Sequence, residues 1–212
     1  VARLRKGQRP YAGRGGGVRP AARAFAGALS PAARPLGGLL KPDIERRFAA
    51  ALQRGDGAAG AHCIHELWMR GEFALNIEAA LAALWSRAAA SIPDWLPMRY
   101  IEWLPSVYEV ALAFSCARTG RSNVYLVLLD YHDRSRGPHG LYVGMSHYSP
   151  AQRFDQHKAG IRAASSVLRR GLEVLSGPTL HLQRIARAEA LRIEAQLAEA
   201  LRDAGLLVEG GH

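Results

Sequence analysis

The stretch GLYVGMSHYSPAQRFDQHKAG, Gly140 to Gly160, joins a short run of strand-forming residues, a turn and the start of a helix. Ser149, Pro150 and Gln152 occupy the N-cap, first and third helical positions, a capping-box pattern that starts a helix running to about Ile161. Arg153 and His157, four apart, share one face of that helix. Phe154 and Ile161 mark a different face that can seat on a sheet. Upstream, NVYLVLLDY (Asn123 to Tyr131) is a β-branched, aromatic and leucine run too short for a typical helix. Together with GLYVGMS it predicts an antiparallel hairpin, with the turn signal DRSRGPHG between the strands. GLEVLSG, from Gly171, predicts a third strand, and a long helix follows from about Leu182 to Ala204, ended by Gly205.

Outward from this region the texture changes. Pro42 to Thr119 is Ala/Leu-rich with helical spacing: KPDIERRFAAALQRG places Ile44, Phe48 and Ala51 or Leu52 on one face, and two further helical runs are broken at Gly71 and ended before Pro93. Residues 1–41 carry nine Lys/Arg and no acid, residues 42–119 have a net charge of −2, and residues 120–212 a net charge of +3. The overall +10 is therefore mostly a basic tail, read as a disordered Arg/Gly/Pro/Ala-rich segment. With a net charge of −2, the helical region does not look like a nucleic-acid surface, and it is read as scaffold. Cys63 and Cys116 follow no metal-ligand spacing, which fits two buried thiols in a reducing, cytoplasmic setting. No apolar run reaches the ~18 residues of a membrane span. His62 and His65 in HCIHE lack a full ligand set and read as structural histidines.

The last helix carries an anomaly. At 100° per residue, Glu194 has Ala190, Leu191, Leu197, Ala198 and Leu201 as helical neighbours, so a carboxylate interrupts the apolar stripe. Glu189, beside Arg192, lies on the wet side. A core-facing carboxylate is costly unless it is paired or bound to a cation. Tyr125 and Tyr142 stand on adjacent strands of the hairpin. Two phenols, a guanidinium, an imidazole and this carboxylate suit phosphodiester hydrolysis: Glu holds a hard divalent cation, Arg steadies the phosphate, and a phenol or imidazole relays the water's proton.

In this arrangement Asn123 to Gly211 resembles the GIY-YIG nuclease domain. NVY (Asn123 to Tyr125) matches the first half-motif and YVG (Tyr142 to Gly144) the second; Arg153 follows Gly144 at the family's spacing; EALRIE ends in Glu194 at the place of the family's metal ligand. The resemblance implies an α+β fold, a three-stranded antiparallel sheet flanked by helices, with residues 120–212 as the nuclease domain. It further implies Mg2+- or Mn2+-dependent cleavage of nucleic acid, DNA above all, with no membrane partner. Tyr125 or Tyr142 then orients or deprotonates water, Tyr125 being favoured; Arg153 stabilises the phosphate, His157 assists, and Glu194 binds the metal. Three departures stand out: Asn-Val in place of Gly-Ile, a longer hairpin loop holding His132, Asp133, Arg134, Arg136 and His139, and no Asn after the Glu helix. The competing reading is a catalytically inactive domain of the same fold that binds nucleic acid or another partner.

Overall fold

The computed structural model describes residues 34–131 and 137–211; the tail expected over residues 1–33 and the loop residues His132, Asp133, Arg134 and Arg136 lie outside the described residues. The chain divides into two compact units between Pro105 and Ser106. In the first, Lys41–Arg54 (α1), Gly57–Met69 (α2) and Ala74–Ala88 (α3) form a helical packing around α2, which is buried from Gly57 through Trp68 at ten positions. Asp56 caps α2 by accepting from the Ala59 N–H at 2.9 Å. Glu66, at 1 % exposure, is held by Arg34 at 2.7 Å and Arg70 at 2.6 Å, while Arg70 also donates to the Leu36 and Gly37 carbonyls. Arg34 and its neighbours, expected as tail, are thereby fastened to α2. His62 and His65 pack their rings against Trp95 at centroid distances of 5.0 and 5.8 Å.

Leu104–Leu112 (α4) spans the division, and residues 106–119, expected with the helical region, belong to the second unit. There His181 Nε2 donates to the Ala111 and Phe114 carbonyls at 3.0 Å, and Arg118 donates to the Leu180 carbonyl at 3.0 Å. Cys116 is only half-buried, unlike the buried Cys63.

The second unit is an α+β fold. Asn123–Asp130 (β1) pairs antiparallel with His139–Ser146 (β2), the predicted hairpin, and with Gly171–Val174 (β3) on its other side. Its helices are Pro150–Lys158 (α5), Ser165–Arg170 (α6) and Arg187–Asp203 (α7). Val208–Gly210 (β4) adds a parallel edge strand beside β2, giving the order β3-β1-β2-β4. The sheet is thus four-stranded and mixed, a correction to the expected three antiparallel strands. A three-residue strand between glycines has no readable period; it forms because β2 offers unpaired edge groups and because Glu209 is tied to the Tyr131 hydroxyl and, at 3.7 Å, to Arg170.

β1 is buried along its length to Leu129 because both sheet faces are covered. On one face Tyr125, Val127 and Leu129 cluster with Phe154 of α5, Val167 of α6 and Val174. On the other lies α7, whose buried residues are Ala190, Ile193, Glu194, Leu197, Ala198 and Leu201. The capping box is present, with Ser149 Oγ accepting from the Gln152 N–H at 3.3 Å and Gln152 Oε1 from the Ser149 N–H at 3.1 Å. Yet α5 ends at Lys158, and Ile161, expected on the sheet, is 56 % exposed. Val167 of α6 fills that role. The long helix begins at Arg187 rather than Leu182, after a 3-10 turn at Gly177–Leu182, and Leu191 turns outward while Ile193 joins the stripe.

Candidate active site

Strand pairing brings the two half-motifs together. Tyr125 on β1 stands opposite Gly144 on β2, and Tyr142, two residues before Gly144, shares that face. The tyrosine rings lie 6.2 Å apart and both cross over the glycine. A Cβ at position 144 would sit 2.7 Å from both the Tyr125 hydroxyl and Tyr142 Cε1, so hydrogen is the only substituent this arrangement admits.

α5 delivers Arg153 and His157 to the same place. His157 is 1 % exposed, with Nε2 3.0 Å from the Tyr125 oxygen and Nδ1 2.9 Å from the Ala164 backbone nitrogen. A backbone N–H can only donate, so Nδ1 accepts and the neutral imidazole carries its proton on Nε2. His157 therefore donates to Tyr125, leaving the phenol's own hydrogen to be given to the Tyr142 oxygen across the site. Burial, with the nearby Arg153 charge, lowers the His157 pKa to about 4, which keeps the ring neutral. Arg153 donates to Gln156 Oε1 at 3.1 Å, to the Ile161 carbonyl at 3.2 Å and to the Arg162 carbonyl at 2.7 Å. The guanidinium is pinned on one edge and faces Tyr125 from the other; burial, with Tyr142 beside it, pushes the Tyr125 pKa well above the ordinary phenol value, and the Arg153 charge and hydrogen bond offset only part of this.

Glu194 comes from the opposite sheet face and reaches round the β2 edge. The Leu141 N–H donates to Leu207 and the Val143 carbonyl accepts from Gly211, so alternate β2 groups point at β4. β4 ends at Gly210, and the next N–H in that series, Met145, is directed at the Glu194 carboxylate instead. Gly211 permits this ending: its Cβ would lie 2.3 Å from that of Ala198, one turn beyond Glu194. Glu194 is 7 % exposed, and burial pushes its pKa up to about 7 against the single Met145 hydrogen bond. No cation among the described residues pairs with it. Its charge in turn raises the Tyr142 pKa, behind burial as the main cause.

Tyr125, Tyr142, Arg153, His157 and Glu194 thus share one neighbourhood around Gly144. Glu189, by contrast, pairs with Arg192 at 2.6 Å on the exposed side of α7. Two residues escaped sequence reasoning. Gly144 was matched to a motif without the steric reason above. Asn123 enters the sequence reading only as a departure from the motif, yet it donates through Nδ2 to the Tyr148 carbonyl at 2.9 Å and accepts through Oδ1 from the Arg184 N–H at 3.0 Å. It locks the turn before α5 to the chain before α7.

A divalent cation fits the donor set in one respect: a buried, unneutralised carboxylate beside phenols is the environment a hard cation relieves, and Mg2+ commonly uses one or two carboxylates with waters and substrate phosphate. No group of three or more His, Cys, Asp or Glu able to hold a metal occurs among the described residues, so Glu194 would be the sole protein side chain of that type. No family model, curated protein or solved structure matches the chain.

Proposed function

We propose that the chain is a divalent-metal-dependent endonuclease of the GIY-YIG type, hydrolysing phosphodiester bonds in DNA. The observation that supports this best is the meeting of Glu194 with Tyr125, Tyr142, Arg153 and His157 around Gly144, although Glu194 belongs to a helix on the other sheet face. A carboxylate buried there with one backbone N–H and no cation among the described residues is costly as a purely structural group.

Glu194 would hold Mg2+ or Mn2+, which supplies charge neutralisation for the phosphate when bound. The chain's own residues divide the remaining work. Tyr125 is the base-like group, acting as a relay: its oxygen, held by the His157 Nε2–H, would take the proton of the attacking water while its own hydroxyl proton passes on to a phosphate oxygen, with the Arg153 charge beside it steadying the negative charge in transit. Burial, and behind it the anionic Glu194, raise the Tyr142 pKa, so Tyr142 orients water as a neutral phenol. Arg153, pinned by the 161–162 carbonyls, presents its remaining donors to the phosphate at little further cost in side-chain entropy.

The test is incubation of the purified chain with plasmid, branched and single-stranded DNA, with and without Mg2+ or Mn2+, beside Glu194→Ala and Arg153→Ala. Metal-dependent cleavage lost in both folded variants supports the reading. Binding of DNA without cleavage under every condition would favour the inactive domain.

A further inference from the structure

Asn123 bridges two segments next to the candidate site, and what they expose is a second, unassigned surface. Along β1, Asn123 lies two residues from Tyr125 on the same face, about 7 Å away. One bridged segment is the turn Ser146–Ser149. It is fixed three times: Asn123 holds the Tyr148 carbonyl, Ser146 Oγ accepts from the Tyr148 N–H at 3.1 Å, and Ser149 is the α5 cap. On this turn the His147 and Tyr148 rings lie against each other, centroids 4.0 Å apart and planes tilted by 38°, and Tyr148 is 40 % exposed.

The other segment carries arginines. Arg184 adopts the left-handed conformation (φ 62) rarely taken by a residue with a side chain, and Asn123 accepts from its N–H. Ser122 and Ile185 exchange backbone hydrogen bonds and the Gly120 N–H donates to the Arg184 carbonyl, so the segment of Arg121 runs next to that of Arg184, and Arg187 opens α7 just beyond. All three arginines are exposed, and their guanidinium groups make no hydrogen bond or ion pair with any described residue. Among the described residues nothing neutralises these cations, which lie on the segment that Asn123 ties to the turn carrying the exposed rings.

We propose that this end of the sheet binds a single-stranded segment of DNA flanking the scissile phosphate, the arginines contacting successive backbone phosphates and the His147–Tyr148 pair receiving an unstacked base. The location of the scissile phosphate rests on the nuclease reading; the binding surface does not. A duplex keeps its bases stacked internally and offers no free face to a ring platform, whereas a single strand, flap or junction does. The substrate class is therefore DNA with an unpaired nucleotide next to the cut.

The full chain in EDTA, where metal-dependent cleavage cannot interfere, is titrated against a fluorescent single-stranded oligonucleotide and a blunt duplex of the same sequence, over a range of salt. The single strand should bind more tightly. Tyr148→Ala should weaken single-strand binding by about 5- to 150-fold, with Tyr148→Phe close to wild type. Arg121→Ala and Arg184→Gly, the latter easing the left-handed backbone, should each reduce the salt slope by about 0.7. Unchanged single-strand affinity in Tyr148→Ala, or unchanged salt slopes in both arginine variants, overturns the proposal. Because binding is read without metal, its failure is distinct from that of the nuclease reading: a chain that binds this way and never cuts loses only its catalytic assignment.

Discussion

Tyr125 and His157 share a hydrogen bond of 3.0 Å whose direction is set from behind, by the Ala164 N–H donating to the other imidazole nitrogen. The imidazole can give a hydrogen bond to the phenol and cannot take its proton in this arrangement. Tyr125→Phe should lower cleavage by about 10²- to 10⁴-fold, and Tyr142→Phe by less, in single-turnover assays with both variants showing native circular dichroism. Equal losses would return the choice between the two phenols to an open question.

The same buried ring predicts a pH effect on stability. His157 has a folded pKa near 4 against its ordinary value of 6.5, so the unfolded chain binds more protons in between. Its contribution is complete above about pH 6.5 and is lost as pH falls toward 4. His65, also lowered to about 4 by burial, acts in the same direction. Chemical denaturation across this window should show His157→Gln with a shallower acid loss than wild type.

Glu194 runs the opposite way. Its folded pKa near 7 lies above the ordinary 4.5, so without metal its contribution is greatest below about pH 4.5 and is lost as pH rises through 7. Glu194→Gln should therefore be more stable than the metal-free wild type at pH 8, on the order of 2 kcal/mol, and close to it at pH 5. Added Mg2+ should raise the melting temperature of wild type at pH 8 and leave Glu194→Gln unmoved.

Gly144→Ala should be damaging out of proportion to one methyl group. The added carbon would overlap both tyrosine rings, each held by further contacts, so overpacking should cost about 1–3 kcal/mol in denaturant titration. Displacing both phenols should also remove most cleavage.

In the first unit, Glu66→Ala removes the anion shared by Arg34 and Arg70. Because Glu66 is buried while Arg34 is about half-exposed and Arg70 partly exposed, the loss should fall toward the low end of the 3–5 kcal/mol typical of broken buried pairs, about 3 kcal/mol by thermal or chemical melt.

What the sequence made legible follows from local rules. Ser149 and Gln152 announced α5 because a capping box is a contact within four residues. Glu194 was visible because helical geometry alone places its neighbours, and Glu189 was rightly set on the wet side with Arg192. Features that depend on partners distant in the chain were hidden. β4 depends on edge groups of β2 and on Tyr131 and Arg170; the late start of α7 depends on Asn123, which fixes the left-handed Arg184, and on the Ser122–Ile185 bridge, which holds the next residue. Ile161 was misplaced because the helix face was extended beyond Lys158, where Gly160 (φ 77) turns the chain. Asn123 looked inert because its two partners lie 25 and 61 residues away.

The account rests most heavily on Glu194 as the residue that holds a catalytic cation. The direct measurement is nicking of supercoiled plasmid at pH 8 over a Mg2+ titration, wild type against Glu194→Gln, with the fold of each verified by melting. Saturable, Mg2+-dependent nicking by wild type and its loss in a folded Glu194→Gln are the predicted result. Nicking by Glu194→Gln at the wild-type rate and with the same Mg2+ dependence would contradict it.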